Sequence, residues 1–504
     1  MSSPRARTRH VLMLALALPA TAVAAAFAPQ FRDVEKPLHT VVGRFDARDQ
    51  VEVKFRSDDT LQRSSGRWHA ARAGALPALD RLLVDGGPVL GMQPLFDRDL
   101  VRALTAADQP ALHQWYRLQL REGADIAGVV DALNAMDAVE LAYPAPLPVD
   151  PGAGSSSDGL PALPAAWTMA TPTFEARQIP ALPAAQGGID AAYARSVPGG
   201  DGRGIRVVDV EFGWNWRHED LTKLRVPGTW IPQGGGMVEQ FQDHGTAVMG
   251  QMIADNNGIG VRGLVDGATP HYVNVVGRQS GFNPANAILL AAGRLSAGDV
   301  ILMEIQVGGP NGCSGYVPGE WVGSVYDAVV SAVRRGIHVV QAAGNGNMNL
   351  DDVRCFGRSF PRGLADSGAI MVGAGAHWPS RWCGTRQQPR SRLGFSTYGR
   401  RVNVQGVGSC VTTTGYGDIW RATHATYTGT FSGTSSSSPI VASAVIALSG
   451  IAKARGITLT PARMRQLLIE TGSAQVGANG HIGPLPDLRA AVGQLQVTGS
   501  AAQP

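Results

Sequence analysis

The sequence predicts an α/β protein, a parallel sheet with helices on both faces, preceded by a small α+β domain. Three observations carry this. Beyond Gly200, short β-branched runs that are apolar on both faces alternate with helical stretches, the pattern of strands buried under helices. Before about residue 150 lies a separate strand, helix, strand unit. Between them the composition turns to proline, glycine and serine, which marks a linker. The 504 residues suffice for two or three domains and a large core. A net charge of +4 with no Lys/Arg block points away from nucleic acid.

In chain order, Arg5, Arg7 and Arg9 precede the apolar run VLMLALALPATAVAAAFA with small residues at its end. This is the layout of a secretory signal peptide over residues 1–26, and it predicts a secreted product, extracellular or periplasmic. No later segment has the ~20 uninterrupted apolar residues of a membrane span, so none is expected in the mature form. Residues 27–150 form the α+β domain. Strands are expected over 50–56, 115–121 and 138–144, with a helix over 124–137. Residues 151–185 are the linker, the place for a proteolytic cut, 186–496 the large domain and 497–504 a tail. Core strands are expected over 205–210, 268–276, 299–306, 336–342 and 369–375, and helices over 245–254, 286–297 and 321–335. In an oxidising compartment Cys313, Cys355, Cys383 and Cys410 form two disulfides. Three pairings exist, and the expectation is Cys313 with Cys355 and Cys383 with Cys410.

Reactive side chains in such a sheet gather at the carboxyl ends of the strands. Asp209 closes the first core strand, His244 opens a helix, and Ser435 lies in FSGTSSSSPIVA, where a loop feeds an apolar helix. A hydroxyl at that helix start sits among free backbone N–H donors. Proline early in a helix is tolerated because first-turn N–H groups have no intrahelical partner. Singly, each stretch also reads as a turn, a cap or a serine-rich linker. Together they give an acid, a base and a nucleophile, in the order Asp, His, Ser.

Here the chain resembles the subtilisin family of serine proteases, from about residue 185 to 495. His244-Gly-Thr-Ala-Val-Met-Gly250 matches HGTxVxG, and Gly433-Thr-Ser-Ser-Ser-Ser-Pro439 resembles GTSxAxP. Val207-Val-Asp209, with His218-Glu-Asp-Leu221 downstream, stands for the aspartate motif, and Ala342-Ala-Gly-Asn345 for the oxyanion motif AAGN. The resemblance implies a subtilisin-like sheet, a triad of Asp209, His244 and Ser435, and Asn345 as an oxyanion donor. The segment Gln306, Val307, Gly308 and Gly309 resembles SLGG and would pair with an extended substrate by β-augmentation. There are departures: Val210 and Glu211 follow Asp209, Ala247 replaces a histidine, and Ser437 replaces an alanine. Glu211 and Glu304 near the cleft point to basic substrates.

The family further implies a structural calcium ion, with no catalytic cofactor. Its ligands would be the Asp220 carboxylate, the Asn257 side chain and the carbonyls of Asp255, Ile259 and Val261, oxygens of the kind calcium prefers. The N-terminal domain resembles the family's propeptide, a ferredoxin-like unit that assists folding and then acts as an intramolecular inhibitor. The function implied is a secreted, monomeric serine endopeptidase, made as a self-processing zymogen and acting on proteins or peptides. The alternatives are an acyl-transferring or cyclising relative using the same acyl-enzyme, and a non-catalytic protein of the same fold.

Overall fold

The computed structural model describes residues 36–37, 39–56, 61–104, 110–152, 170–278, 281–313, 315–357, 360, 366–384 and 387–500. The expected signal peptide lies outside the described residues, as does the stretch 153–169 of the expected linker. The N-terminal domain runs β1 (Asp46–Phe55), α1 (Pro77–Leu83), β2 (Val89–Pro94), β3 (Trp115–Leu120), α2 (Ile126–Asn134) and β4 (Val139–Pro146). These four strands pair antiparallel in the order β2, β3, β1, β4, the split-βαβ arrangement of ferredoxin-like folds, and a separate three-stranded sheet lies within 61–75. Val51, Val53, Phe55, Leu118, Val130 and Leu133 fill the space between sheet and helices.

The large domain is built on seven strands: β5 (Arg206–Glu211), β6 (Trp230–Ile231), β7 (Thr269–Asn274), β8 (Val300–Met303), β11 (His338–Ala342), β12 (Ile370–Gly375) and β13 (Val404–Val407). They lie in the order β13, β12, β11, β8, β5, β7, β6, and every pairing is parallel. Between β8 and β11 a two-stranded flap, β9 (Gln306–Gly308) and β10 (Tyr316–Pro318), projects from the sheet. Helices α3 (Gln242–Ile253) and α6 (Thr434–Ala454) cover one face, and α4 (Pro284–Arg294) and α5 (Gly323–Arg334) the other. The alternation is strict: Val207, Val300 and Leu302 pack on the α3/α6 face, and Val208, Val210, Ile301 and Met303 on the α4/α5 face. Strand side chains alternate between faces, so apolar residues at consecutive positions force a sheet buried on both sides. Helix α6 is long and apolar enough to cross a membrane, but it lies wholly inside the core. Strand order reverses on either side of β5, which makes the carboxyl ends of β5 and β8 the switch point where α/β sheets hold their chemistry.

The two domains share a core. Leu95, Phe96, Val101, Leu112 and Trp115 of the N-terminal domain pack among residues of α4 and α5. Around that contact the polar groups are paired. Trp115 Nε1 donates to Asp327 Oδ2 at 2.9 Å, Lys54 reaches the same carboxylate, and Ser324 Oγ donates to Glu52 Oε2 at 2.7 Å. Residues 170–185, part of the predicted linker, are held in place instead. Phe174 is buried against Tyr427, and its N–H donates to the Gly260 carbonyl, because an aromatic side chain there gains more from the core than from water. Disulfides join Cys313 to Cys355 and Cys383 to Cys410, the pairing expected.

Candidate active site

The first carboxylate is not the one the sequence reading chose. Strand β5 continues past Asp209 and ends at Glu211, and it is Glu211 whose Oε2 lies 2.6 Å from His244 Nδ1. The other oxygen of Glu211 accepts the N–H of Phe212 at 2.7 Å. Asp209 sits two residues deeper on the same face, where its Oδ2 accepts from Trp214 Nε1 at 2.8 Å and its Oδ1 has no partner among the described residues. The physical reason is reach: the strand end, not its middle, meets the first turn of α3. Gly245 allows that meeting, since a Cβ there would lie 2.4 Å from the Gly213 carbonyl and 2.7 Å from Trp214 Nε1. The signal was present in the sequence. Glu211-Phe-Gly213 is an acid followed two places later by glycine, the spacing that Asp209 lacked. Glu211 and Glu304 are 0% and 1% exposed, so they lie beneath the nucleophile and cannot meet a substrate side chain. The expectation of basic substrates drawn from them is withdrawn.

Ser435 is the second residue of α6, after Gly433, whose φ of 107° only glycine adopts readily. Its backbone N–H has no acceptor among the described residues. Pro439 is not in the first turn as expected but lies inside the helix, so the Ser435 carbonyl lacks the N–H donor four residues on. The following serines satisfy other carbonyls around the helix start. Ser436 Oγ donates to Val407 at 2.8 Å, Ser437 Oγ to Gly433 at 3.3 Å, and Ser438 Oγ lies 2.8 Å from the Thr434 carbonyl. The ring of His244 packs edge-on against Phe431, with centroids 5.6 Å apart, and its Nε2 has no partner among the described residues. The Glu304 carboxyl lies near the Ser435 hydroxyl.

Asn345 follows β11, three residues beyond its last position, so it too stands at a strand's carboxyl end. Its Oδ1 accepts from the N–H and hydroxyl of Thr434, at 2.8 and 3.0 Å, and its buried Nδ2 has no acceptor among the described residues. Gln306 grips the same loop: its Oε1 accepts the Asn345 N–H at 2.8 Å, while its Nε2 donates to the Asp150 carbonyl at 2.9 Å. Phe45 lies against Gly308, where a Cβ would be 2.0 Å from its ring, and it packs on Tyr316. Val307 is buried, and Gly309 N–H donates to the Gly315 carbonyl at 2.8 Å. The flap segment 306–309 is thus already covered by the N-terminal domain, with the end of that domain beside the candidate site.

The Subtilase family model matches residues 213–484, more than half of the chain. The chain belongs to the subtilase family. Among its relatives are subtilisin NAT of Bacillus subtilis subsp. natto, 26% identical over 56% of this chain and 67% of that protein, and subtilisin Savinase of Lederbergia lenta, 26% identical over 50% and 78%. Among solved structures it resembles fervidolysin from Fervidobacterium pennivorans, described as a keratinolytic enzyme related to subtilisin. That likeness has a TM-score of 0.54 at 17% identity, covers 92% of this chain and 63% of that one, and bears on fold.

In this subtilase the loop expected to hold calcium presents a suitable donor set. Asp220 is fully buried, and its carboxyl is pushed up to about 7 by burial and then by nearby Asp255 and Glu219, against the hydrogen bond from the Val261 N–H. No Lys or Arg among the described residues pairs with it. The carbonyls of Asp255, Ile259 and Val261 accept no hydrogen bond among the described residues. A buried carboxylate beside idle carbonyls is what a hard cation takes. Asn257 is turned the other way, donating Nδ2 to Asp220 and accepting the Ile259 N–H on Oδ1, so its amide would have to rotate. The Asp255 carboxylate is held by Lys223 and Thr222, which leaves only its carbonyl available.

Proposed function

We propose that this subtilase is a serine endopeptidase, exported and made as a self-processing zymogen, with a triad of Glu211, His244 and Ser435. One observation carries the reading. Glu211 holds His244 Nδ1, while three groups that acyl transfer requires stand unengaged: His244 Nε2, Asn345 Nδ2 and the Ser435 N–H. Ser435 Oγ attacks the scissile carbonyl as Nε2 takes its proton, and the same imidazole returns the proton to the leaving amine. Glu211 fixes the tautomer and stabilises the imidazolium. Substrate-free enzymes often have long catalytic hydrogen bonds that tighten on binding, which accounts for the open Ser435 to His244 contact. Asn345 and the Ser435 N–H bind the oxyanion, and Asn345→Ala is expected to lower kcat about 10²–10³-fold, a magnitude established on subtilisin itself.

The test is treatment of the purified full chain with a fluorophosphonate probe, followed by peptide mapping and a casein digestion assay. Labelling on Ser435 with casein cleavage is expected, and an unlabelled Ser435 would remove the assignment. Labelling without cleavage of any protein would point to acyl transfer.

The N-terminal domain reads as the inhibitory leader, supported by Phe45 on Gly308 and the Asp150 carbonyl on Gln306. Paired disulfides suit an oxidising compartment. Calcium bound by Asp220 and the 255–261 loop would stabilise the fold by mass action, by about 2.7 kcal/mol at a hundredfold excess over Kd. EDTA should therefore lower the Tm and added calcium should restore it, as scanning calorimetry would read. An unchanged Tm would argue against the site.

A further inference from the structure

Three carboxyl side chains converge behind Ser435, two more than the triad uses. Asp209 and Glu211 are two residues apart on β5 and share its α3/α6 face. Strand β8 runs beside β5 with Leu302 opposite Asp209, and the Glu304 N–H donates to the Val210 carbonyl at 3.2 Å, which sets Glu304 beside Glu211 on that face. All three are buried, and none pairs with a Lys or Arg among the described residues. From α3 the facing titratable group is His244, and from α6 the facing groups are the hydroxyls of Ser435 and Ser438.

Hydrogen counting assigns the protons. Ser438 Oγ is 2.8 Å from the Thr434 carbonyl and 2.6 Å from Glu304 Oε1, yet a hydroxyl has one proton to give. A helical serine can give it to the carbonyl four residues back. The short contact to Glu304 then needs its proton from the carboxyl. The second oxygen of Glu304, like that of Asp209, has no partner among the described residues, and a full negative charge left bare in the interior is far costlier than a neutral acid. Of the three, only Glu211 has N–H donors on both oxygens, the equipment of a carboxylate.

We propose that Glu304 is a proton-bearing carboxylic acid that positions Ser435: neutral, it donates to Ser438 and leaves the Ser435 proton to His244. On releasing its proton to solvent it becomes an acceptor that draws the Ser435 O–H away from His244. This rests on the serine-hydrolase reading above. Burial, with Asp209 and Glu211 adding to it, holds the Glu304 carboxyl well above the ordinary carboxylic range, so the productive form is present below that raised pKa and lost as pH climbs through it. The arrangement therefore gives reactivity an alkaline limit that belongs to Glu304 and not to His244.

The experiment compares fluorophosphonate labelling rates of the full chain between pH 5 and 10 for the unmutated protein and Glu304→Gln, whose amide cannot ionise. The unmutated rate should fall on the alkaline side, and in Glu304→Gln the ratio of rates across that fall should rise about tenfold per pH unit of titration removed. Superimposed profiles would overturn the positioning role alone. No labelling of the unmutated protein at any pH would overturn the hydrolase reading and the role together. Infrared spectra of the unmutated protein, with and without ¹³C-glutamate, need no variant to fold: a glutamic acid carbonyl band that persists at neutral pH and titrates with the labelling rate is expected. Its absence would overturn the proposal.

Discussion

Glu211→Gln should reduce the rate of Ser435 acylation by about 10⁴-fold, the loss that follows when a triad acid becomes an amide and the imidazole takes the wrong tautomer. Glutamine keeps the shape of the side chain but presents an N–H as readily as a carbonyl to His244 Nδ1. Asp209→Asn is the matched comparison. Its side chain is bonded to Trp214 and not to the imidazole, so its cost should not exceed about tenfold, the scale of one neutral hydrogen bond. Labelling kinetics on both variants, with near-UV circular dichroism to verify packing, separates the two acids. A large loss in Asp209→Asn with little in Glu211→Gln would restore the aspartate to the triad.

Ser435→Ala should remove hydrolysis altogether, leaving at most the residual ~10³–10⁴-fold acceleration over water that binding and the oxyanion donors supply. The variant should also accumulate with its N-terminal domain attached when produced in a protease-deficient host. Phe45 and Asp150 already occupy the flap, which sets the end of the N-terminal domain beside the candidate site, and intramolecular attack is favoured by proximity. Intact-mass measurement of the secreted product reads the outcome directly. Normal processing of the variant would show that another protease makes the cut.

What the sequence made legible were features with periodicity or fixed neighbours. The strands at 205–210, 300–303, 338–342 and 370–375 stood out because residues on both faces are apolar, and His244, Asn345 and Ser435 because glycine flanks them in fixed patterns. The acid escaped because residue type was weighed above position. Asp209 looked like a strand end only while β5 was thought to stop at Val210, and one further residue moved the end to Glu211. Strand β13 and the two-residue β6 also went unread, since VQGV and WI are too short to show a period. Glu304 was legible as a residue but not as a buried one. Its proximity to Glu211 comes from the pairing of β5 with β8, nearly a hundred residues apart, which no local pattern encodes.

The bond between Cys313 and Cys355 spans 42 residues, and that stretch contains β10, α5, β11 and Asn345. Closing a loop of this size removes about 4 kcal/mol of freedom from the unfolded chain in the chain-entropy model, a large part of what holds an ordinary domain together. In a reducing cytosol the segment that carries Asn345 would lack this restraint. On the zymogen reading proposed above, the chemistry of the cell compartment becomes a second lock beside the leader: a precursor gains this restraint only where oxidants can seal the ring.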